Sequence, residues 1–467
     1  MKKIIALFLQ CFVLYAVHAN ITLPSVIGSN MVLQQKSDVK IWGWGNPLEK
    51  VFVTTSWDNK TDSTIVPPDA SWYVTVQTPA AGGPYTITIK GNNTIQLDNV
   101  LIGEVWVCSG QSNMEMNYTW GIPKMKDDVP AAYNNNIHLF TVAKAASAYP
   151  QDDCKGQWAV CDSNTVKEFS AAAYYFGKKL NKDLNVPIGL ISSNWGATAA
   201  EVWTPQDIVE SNTTLREAAA KIQPNPWCAI KPGTVYNAMI APLLNYTIAG
   251  AIWYQGESNT GTAASYRQLF TTMITSWRSL WGKNFPFYYV QIAPFKYGNK
   301  NIAALLREAQ TQSMQLDNTG MVVITDITGD TMNIHPKDKP SVGMRLANWA
   351  LAETYHQPGI IYKNALYKSM EVKNGKAIIS FDNAGSGLSA EGKNVTEVYV
   401  AGADKIFYPA QATIDHDKLI VWSPQVSSPV AVRYAFSNTA IGNLAGPGGL
   451  PVNPFRTDDW PVDTSAN

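Results

Sequence analysis

Between residues 101 and 358, apolar stretches of strand character alternate with stretches of helical periodicity, and few folds accommodate that alternation. Val105-Trp-Val-Cys, Val186-Pro-Ile-Gly-Leu-Ile, Ala249-Gly-Ala-Ile-Trp-Tyr, Phe287-Tyr-Tyr-Val-Gln-Ile and Gly320-Met-Val-Val-Ile-Thr are dominated by apolar residues instead of alternating with polar ones, as strands buried on both faces require. Ala171–Leu184, Tyr266–Trp281 and Ala303–Leu316 carry the helical patterns between them. The order predicts an α/β domain, a parallel sheet with helices on both faces. In such sheets sites form beyond the carboxyl ends of the strands, which gives a filter for candidate residues.

The flanking stretches read differently. Residues 20–100 contain Val39-Lys-Ile-Trp-Gly-Trp, Val51-Phe-Val-Thr-Thr and Tyr85-Thr-Ile-Thr-Ile-Lys, separated by Gly, Pro, Asn and Asp clusters, the pattern of a small β-sandwich. Residues 359–467 return to strands with Lys376-Ala-Ile-Ile-Ser-Phe, Thr396-Glu-Val-Tyr-Val, Leu419-Ile-Val-Trp and Val430-Ala-Val-Arg-Tyr. They form either their own sandwich or a complement to the N-terminal β domain. The expected division is therefore a leader over 1–19, an N-terminal β domain over 20–100, an α/β domain over 101–358 and a C-terminal β region over 359–467.

The leader is read from Met1-Lys2-Lys3, the apolar run Ile4 to Val17 and the small-residue site Val17-His18-Ala19. This is the pattern of a secretory signal peptide cleaved after Ala19, so the expected location is exported, periplasmic or extracellular. No later stretch is apolar for long enough to span a bilayer, so no stable membrane insertion is expected. Lys plus Arg equals Asp plus Glu, 36 each, without the basic excess of a nucleic-acid partner. Cysteines and histidines lack metal-ligand spacing, so neither metal nor other cofactor is expected. Export permits disulfides, and Cys154 and Cys161, which bracket a short loop, are the pair to expect.

An acyl hydrolase working near neutral pH generally needs a histidine base. His138 falls in a strand pattern, His356 at a helix end and His416 in a turn. His335, in Asn333-Ile-His-Pro-Lys-Asp-Lys, follows the strand ending near Asp326 and precedes a helix over Val342–Thr354, where functional loops lie. The same position also suits a histidine that only caps that helix. Ser112 follows the strand Val105–Cys108 in Ser109-Gly-Gln-Ser-Asn-Met. Gly110 permits a tight turn that would present the hydroxyl and backbone N–H above the sheet, although alone this sequence also reads as a polar turn. Met114 breaks the G-x-S-x-G elbow. Gly196 in Asn194-Trp-Gly-Ala-Thr and Gln255 with Glu257 in Gln255-Gly-Glu-Ser-Asn lie on further strand-end loops. Each is also compatible with a plain turn or a helix N-terminus.

Together, Gly110-Gln-Ser-Asn-Met, Asn194-Trp-Gly-Ala-Thr, Trp253-Tyr-Gln-Gly-Glu-Ser-Asn and Ile334-His-Pro resemble the sialate O-acetylesterases among the SGNH-type hydrolases. Val235-Tyr-Asn-Ala-Met-Ile-Ala-Pro-Leu, Leu306-Arg-Glu-Ala-Gln and Leu450-Pro-Val-Asn-Pro-Phe-Arg-Thr extend the resemblance over nearly the whole chain after the leader. The resemblance implies a flavodoxin-like catalytic domain with accessory β structure, and an O-acetylated sugar as substrate. It implies Ser112 as nucleophile, His335 as base, and an oxyanion hole built from the Ser112 and Gly196 backbones with the Gln255 side chain. Gln111, Asn113, Trp195 and Glu257 are then expected to line the substrate. The common pattern places Asp three residues before the His, where this chain has Met332. Asp330 is the first alternative for the acid and Asp326 the second; what remains is another carboxylate or a dyad without an acid. Arg267, Arg278 and Arg307 lie in the catalytic stretch; arginine suits a sialic acid carboxylate, but none of the three is assigned to that task, and surface ion pairing is the role their positions favour. Acetylated xylan or pectin is the alternative substrate, and a glycan-binding protein without catalysis the alternative class.

Overall fold

The computed structural model describes residues 20–466; the leader of residues 1–19 lies outside them. At its centre is a sheet in the order Thr319–Val322, Phe287–Val290, Gly250–Tyr254, Thr94–Gly110, Ile188–Asn194, Asn134–Thr141, Trp158–Cys161. Every neighbouring pair is parallel except the last. Successive residues of these strands face opposite sides. Val105, Val107, Ala251, Trp253, Phe287 and Tyr289 enter one core, whereas Trp106, Cys108, Ile252, Tyr254, Tyr288 and Val290 enter the other. Both faces are dry, which explains the near-continuous apolar runs.

Helices Ala263–Trp281 and Ile302–Ser313 cover the first face, and Ala171–Leu184 with Lys339–Trp349 the second. The last two approach closely at Gly343, where a methyl group would meet Ala172 O at 2.6 Å. Ala171–Leu184 has the limits its periodicity predicts. The helix expected over Val342–Thr354 begins earlier, because the Asp338 carboxylate caps Ser341 N–H and Pro340 lies in the first turn, positions that suit both residues.

The N-terminal strands do not stand apart. Thr94–Gly110 is one 17-residue strand. Its first half pairs antiparallel with Gly82–Lys90, and its second half is the central strand of the catalytic sheet. The boundary drawn at residue 100 thus falls inside a single strand, and Val39, Ile41, Val51, Val53 and Trp72 share a core with Val105 and Trp253. The C-terminal strands behave oppositely. Two four-stranded sheets, one carrying Leu366–Lys373 and Lys376–Asp382, the other Val398–Ala401 and Ala431–Tyr434, enclose their own core around Ile379, Val400, Leu419 and Phe455. Among the described residues they pair with none of the N-terminal strands, so this region does not complete the first β layer.

Cys154 and Cys161 are free, buried thiols. Cys161 Sγ donates to Ala132 O at 3.0 Å, and burial pushes both thiols up to about 12. The expected disulfide is absent here because each sulfur is packed into separate surroundings rather than against the other. His138 is fully buried in its strand with Nδ1 on Asn30 O at 2.6 Å.

Candidate active site

The central strand leads into Ser112. Residues Cys108, Ser109 and Gly110 run beside Ile252, Trp253 and Tyr254. Gly110 has φ +139°, and a methyl group there would lie 2.2 Å from Tyr254 O; no side chain fits between the two backbones. Gln111 N–H then donates to Tyr254 O at 3.0 Å, and Ser112 opens the one-turn helix Ser112–Glu115. As its first residue, Ser112 has a backbone N–H without an intrahelical acceptor, directed with the positive end of the turn.

His335 arrives from the loop preceding helix Lys339–Trp349. Its backbone N–H donates to Asn333 Oδ1 at 3.0 Å, and the Trp120 ring packs edge-on against the imidazole with centroids 5.2 Å apart. His335 Nε2 and Ser112 Oγ stand 2.9 Å apart, although 223 positions separate the two residues. Burial, then the positive charges of Lys339 and Lys337, hold the imidazole below its ordinary value, while Glu115 opposes them. A neutral imidazole at this distance accepts the serine proton, as nucleophilic acyl transfer requires.

Other expected residues have different roles. Asp330 is exposed, and its carboxylate accepts Met332 N–H at 2.8 Å; it turns into its own loop instead of toward His335. Asp326 is held by Arg345 Nη1 at 2.8 Å. Among the described residues no carboxylate hydrogen-bonds the His335 ring. Gln255 is fully buried. Its Nε2 donates to Thr198 O at 3.2 Å and Asn259 Oδ1 at 2.7 Å, while Oε1 accepts Tyr266 O–H at 2.9 Å. Both ends of the amide are committed, so the expected oxyanion donor is a strut between loops. Gly196 does reach Ser112, since a methyl group on it would lie 3.3 Å from Ser112 Cβ. Its N–H, however, donates to Glu115 Oε2 at 2.6 Å.

Three residues expected to line the substrate bind the loops to each other. Gln111 Oε1 accepts Gly256 N–H at 3.2 Å and Ser258 N–H at 3.3 Å. Asn113 is completely buried and donates from Nδ2 to Glu257 Oε1 and, at 3.0 Å, to Ile334 O. Trp195 is half-buried, and its indole N–H donates to Trp227 O at 2.9 Å. Of the arginines available for a carboxylate, Arg267 donates to Gln315, Arg278 to the carbonyls of Phe285, Asp317 and Asn318, and Arg307 to Ser437 O.

Two site residues escaped the sequence reading. Glu115 lies one helical turn after Ser112, and its Oε1 accepts Lys144 Nζ at 2.6 Å. Lys339 is fully buried and donates to Asn113 Oδ1 at 2.7 Å. Their sequence signals were only local: a carboxylate three residues past the serine and a lysine four past the histidine.

The relatives of this chain fit that geometry. A model of the family described as carbohydrate esterase, sialic acid-specific acetylesterase, matches residues 102–352, more than half of the chain. The mouse protein named sialate O-acetylesterase is 28% identical over 423 residues, covering 77% of this chain and 78% of that one. The human protein of the same name is 29% identical over 399 residues, covering 76% and 75%. A crystal structure of a carbohydrate acetylesterase from Xanthomonas citri superposes with a TM-score of 0.86 at 36% identity, over 94% of this chain and all of that one. The motifs, the α/β fold with accessory β sheets and these similarities agree: the chain belongs to the family of sialic acid-specific acetylesterases, carbohydrate esterases that hydrolyse carboxylic esters.

Proposed function

We propose that this chain is an exported esterase that removes O-acetyl groups from sialic acids through an acetyl-enzyme formed on Ser112. The 2.9 Å approach of Ser112 Oγ to His335 Nε2 carries this reading. His335 takes the hydroxyl proton as Oγ attacks the acetyl carbonyl, and the Ser112 N–H faces the developing oxyanion. The Gly196 N–H, held by Glu115 Oε2 at 2.6 Å, becomes a second donor once the substrate oxygen displaces that carboxylate oxygen. The imidazolium protonates the departing sugar hydroxyl. A water that has lost its proton to His335 then releases acetate and restores the serine. With no carboxylate on the ring, the pair works as a dyad. Export rests on the charge and hydropathy pattern of residues 1–19, and mass spectrometry of the secreted product should find Asn20 at its start.

A second reading, acetylated xylan or another neutral glycan as substrate, is favoured by one observation. Arg278 commits Nε, Nη1 and Nη2 to backbone carbonyls and Arg307 is almost completely buried with Nη2 on Ser437 O, which leaves neither with an accessible fork for bidentate recognition of a sugar carboxylate, and Arg267 donates to Gln315. Acetate release should therefore be measured on 9-O-acetylated sialic acid and acetylated xylan in parallel, with Ser112→Ala as control. The variant should lose about 10⁴-fold or more of the activity. Faster turnover of sialic acid supports the first reading; equal or faster turnover of xylan overturns it in favour of the second. Activity that survives Ser112→Ala overturns both.

A further inference from the structure

Lys339 and Glu257 are ionisable and completely or almost completely buried, and the acyl-transfer scheme uses neither. They meet on one side chain. Asn113 Oδ1 accepts Lys339 Nζ at 2.7 Å, and Asn113 Nδ2 donates to Glu257 Oε1. The same Nδ2 also donates to Ile334 O at 3.0 Å. Asn113 adjoins the nucleophile, and Ile334 adjoins the base. The amide is therefore a bridge between the two catalytic segments, made one residue away from each reacting group.

The ammonium and the carboxylate determine which way that bridge faces. With the amide turned over, its NH₂ would face the Lys339 ammonium and its oxygen would face Glu257 and Ile334 O. Three hydrogen bonds would be replaced by repulsive contacts in a buried site, where such mismatches are expensive. We infer that Lys339 and Glu257 are positioning residues that hold the Asn113 bridge in its working orientation and so fix His335 against Ser112, a task that a third carboxylate on the imidazole performs in a triad. The inference rests on the reading of Ser112 and His335 as an esterase dyad.

Lys339 also acts through its charge. The groups that bear electrostatically on His335 are Lys339, Lys337 and Glu115. Burial lowers Lys339 to about 7 while Glu257 opposes the shift, so its charge is present below that value. Its charge there favours the neutral, basic imidazole.

The test uses the full chain and 4-nitrophenyl acetate, a substrate without a sugar, so that glycan recognition does not enter. Lys339→Met keeps the length and apolar stem but removes the ammonium. Asn113→Asp keeps the acceptor for Lys339 but removes the donor to Ile334 O and sets a second carboxyl group against Glu257. Both should lose about 10- to 100-fold in kcat, as small displacements of reacting groups do, with KM within about threefold. Glu257→Gln retains an acceptor oxygen and should keep more activity than Glu257→Ala. In Lys339→Met the acid limb of kcat/KM should also move to higher pH, because the imidazolium loses a repulsive neighbour. A folded Lys339→Met with kcat within twofold of the parent, or with an unmoved acid limb, overturns the inference. If that variant does not fold, Asn113→Asp decides alone by the split between kcat and KM. Ser112→Ala run alongside separates the cases: full activity in it overturns the dyad itself, whereas its inactivity beside unaffected Lys339→Met and Asn113→Asp variants overturns only the positioning role.

Discussion

Among the described residues Ser112 and His335 meet without a carboxylate hydrogen-bonded to the imidazole, and the charges nearby govern the pH response. Burial, Lys339 and Lys337 depress His335, and Glu115 alone among the groups acting on it pulls the other way. Activity should therefore rise with pH through an inflection below the ordinary histidine value of about 6.5, read from kcat/KM, which reports the free enzyme. Glu115→Gln removes the stabiliser of the imidazolium, so that inflection should fall further; a profile that stays or moves upward contradicts the assignment. Gln255 offers a second residue-scale prediction. As a strut, Gln255→Ala removes the hydrogen bonds to Thr198 O, Asn259 Oδ1 and Tyr266 O–H and should cost about 2–3 kcal/mol of stability, seen by urea unfolding. An oxyanion donor would instead lose about 10²–10³ in kcat at unchanged stability. Both Gln255 and Asp330 were reasonable expectations from their places in the chain. Only side-chain direction, which position does not determine, separates the strut and the loop cap from catalytic groups.

At the level of elements, the strand-to-helix junction at Gly110 is the most constrained point of the site. Gly110→Ala forces a methyl group against Tyr254 O at a backbone conformation that favours glycine. It should destabilise the protein by more than about 3 kcal/mol, or abolish soluble expression, and expression with thermal unfolding checks this. The core strands and the four helices that cover them are legible from the apolar runs and their periodicity, because burial on both faces leaves a pattern in composition. The ends of elements are less so. The helix before Trp349 starts ahead of its apolar stripe because capping by Asp338 and a tolerated Pro340 set its first turn. The boundary expected at residue 100 falls inside a strand for a related reason. Thr94–Gly110 is half-exposed in its first part and buried in its second, so one strand reads as two environments.

Over the whole molecule, the C-terminal β region keeps its own core yet is fastened to the catalytic domain. Arg456 forms two hydrogen bonds with Glu308 on helix Ile302–Ser313, at 2.7 and 2.8 Å. Arg456→Met should lower stability by about 1–3 kcal/mol, the range for partly buried charged hydrogen bonds. Because the contact lies outside the Ser112–His335 machinery, kcat should remain unchanged. Differential scanning calorimetry with a parallel rate measurement distinguishes this fastening from a role in catalysis.

The sequence by itself determined the α/β class and the strand-end loops, because burial and turn chemistry are local and leave marks at fixed spacing, and it singled out Ser112 and His335 only through the resemblance of four motifs to one family. Tertiary structure alone decided which carboxylates stay away from the imidazole, that Gly196 N–H is held by Glu115, and that Lys339, Asn113 and Glu257 converge. Those facts depend on the direction and pairing of buried polar side chains from four separate segments, and such pairings come into being only when the segments pack.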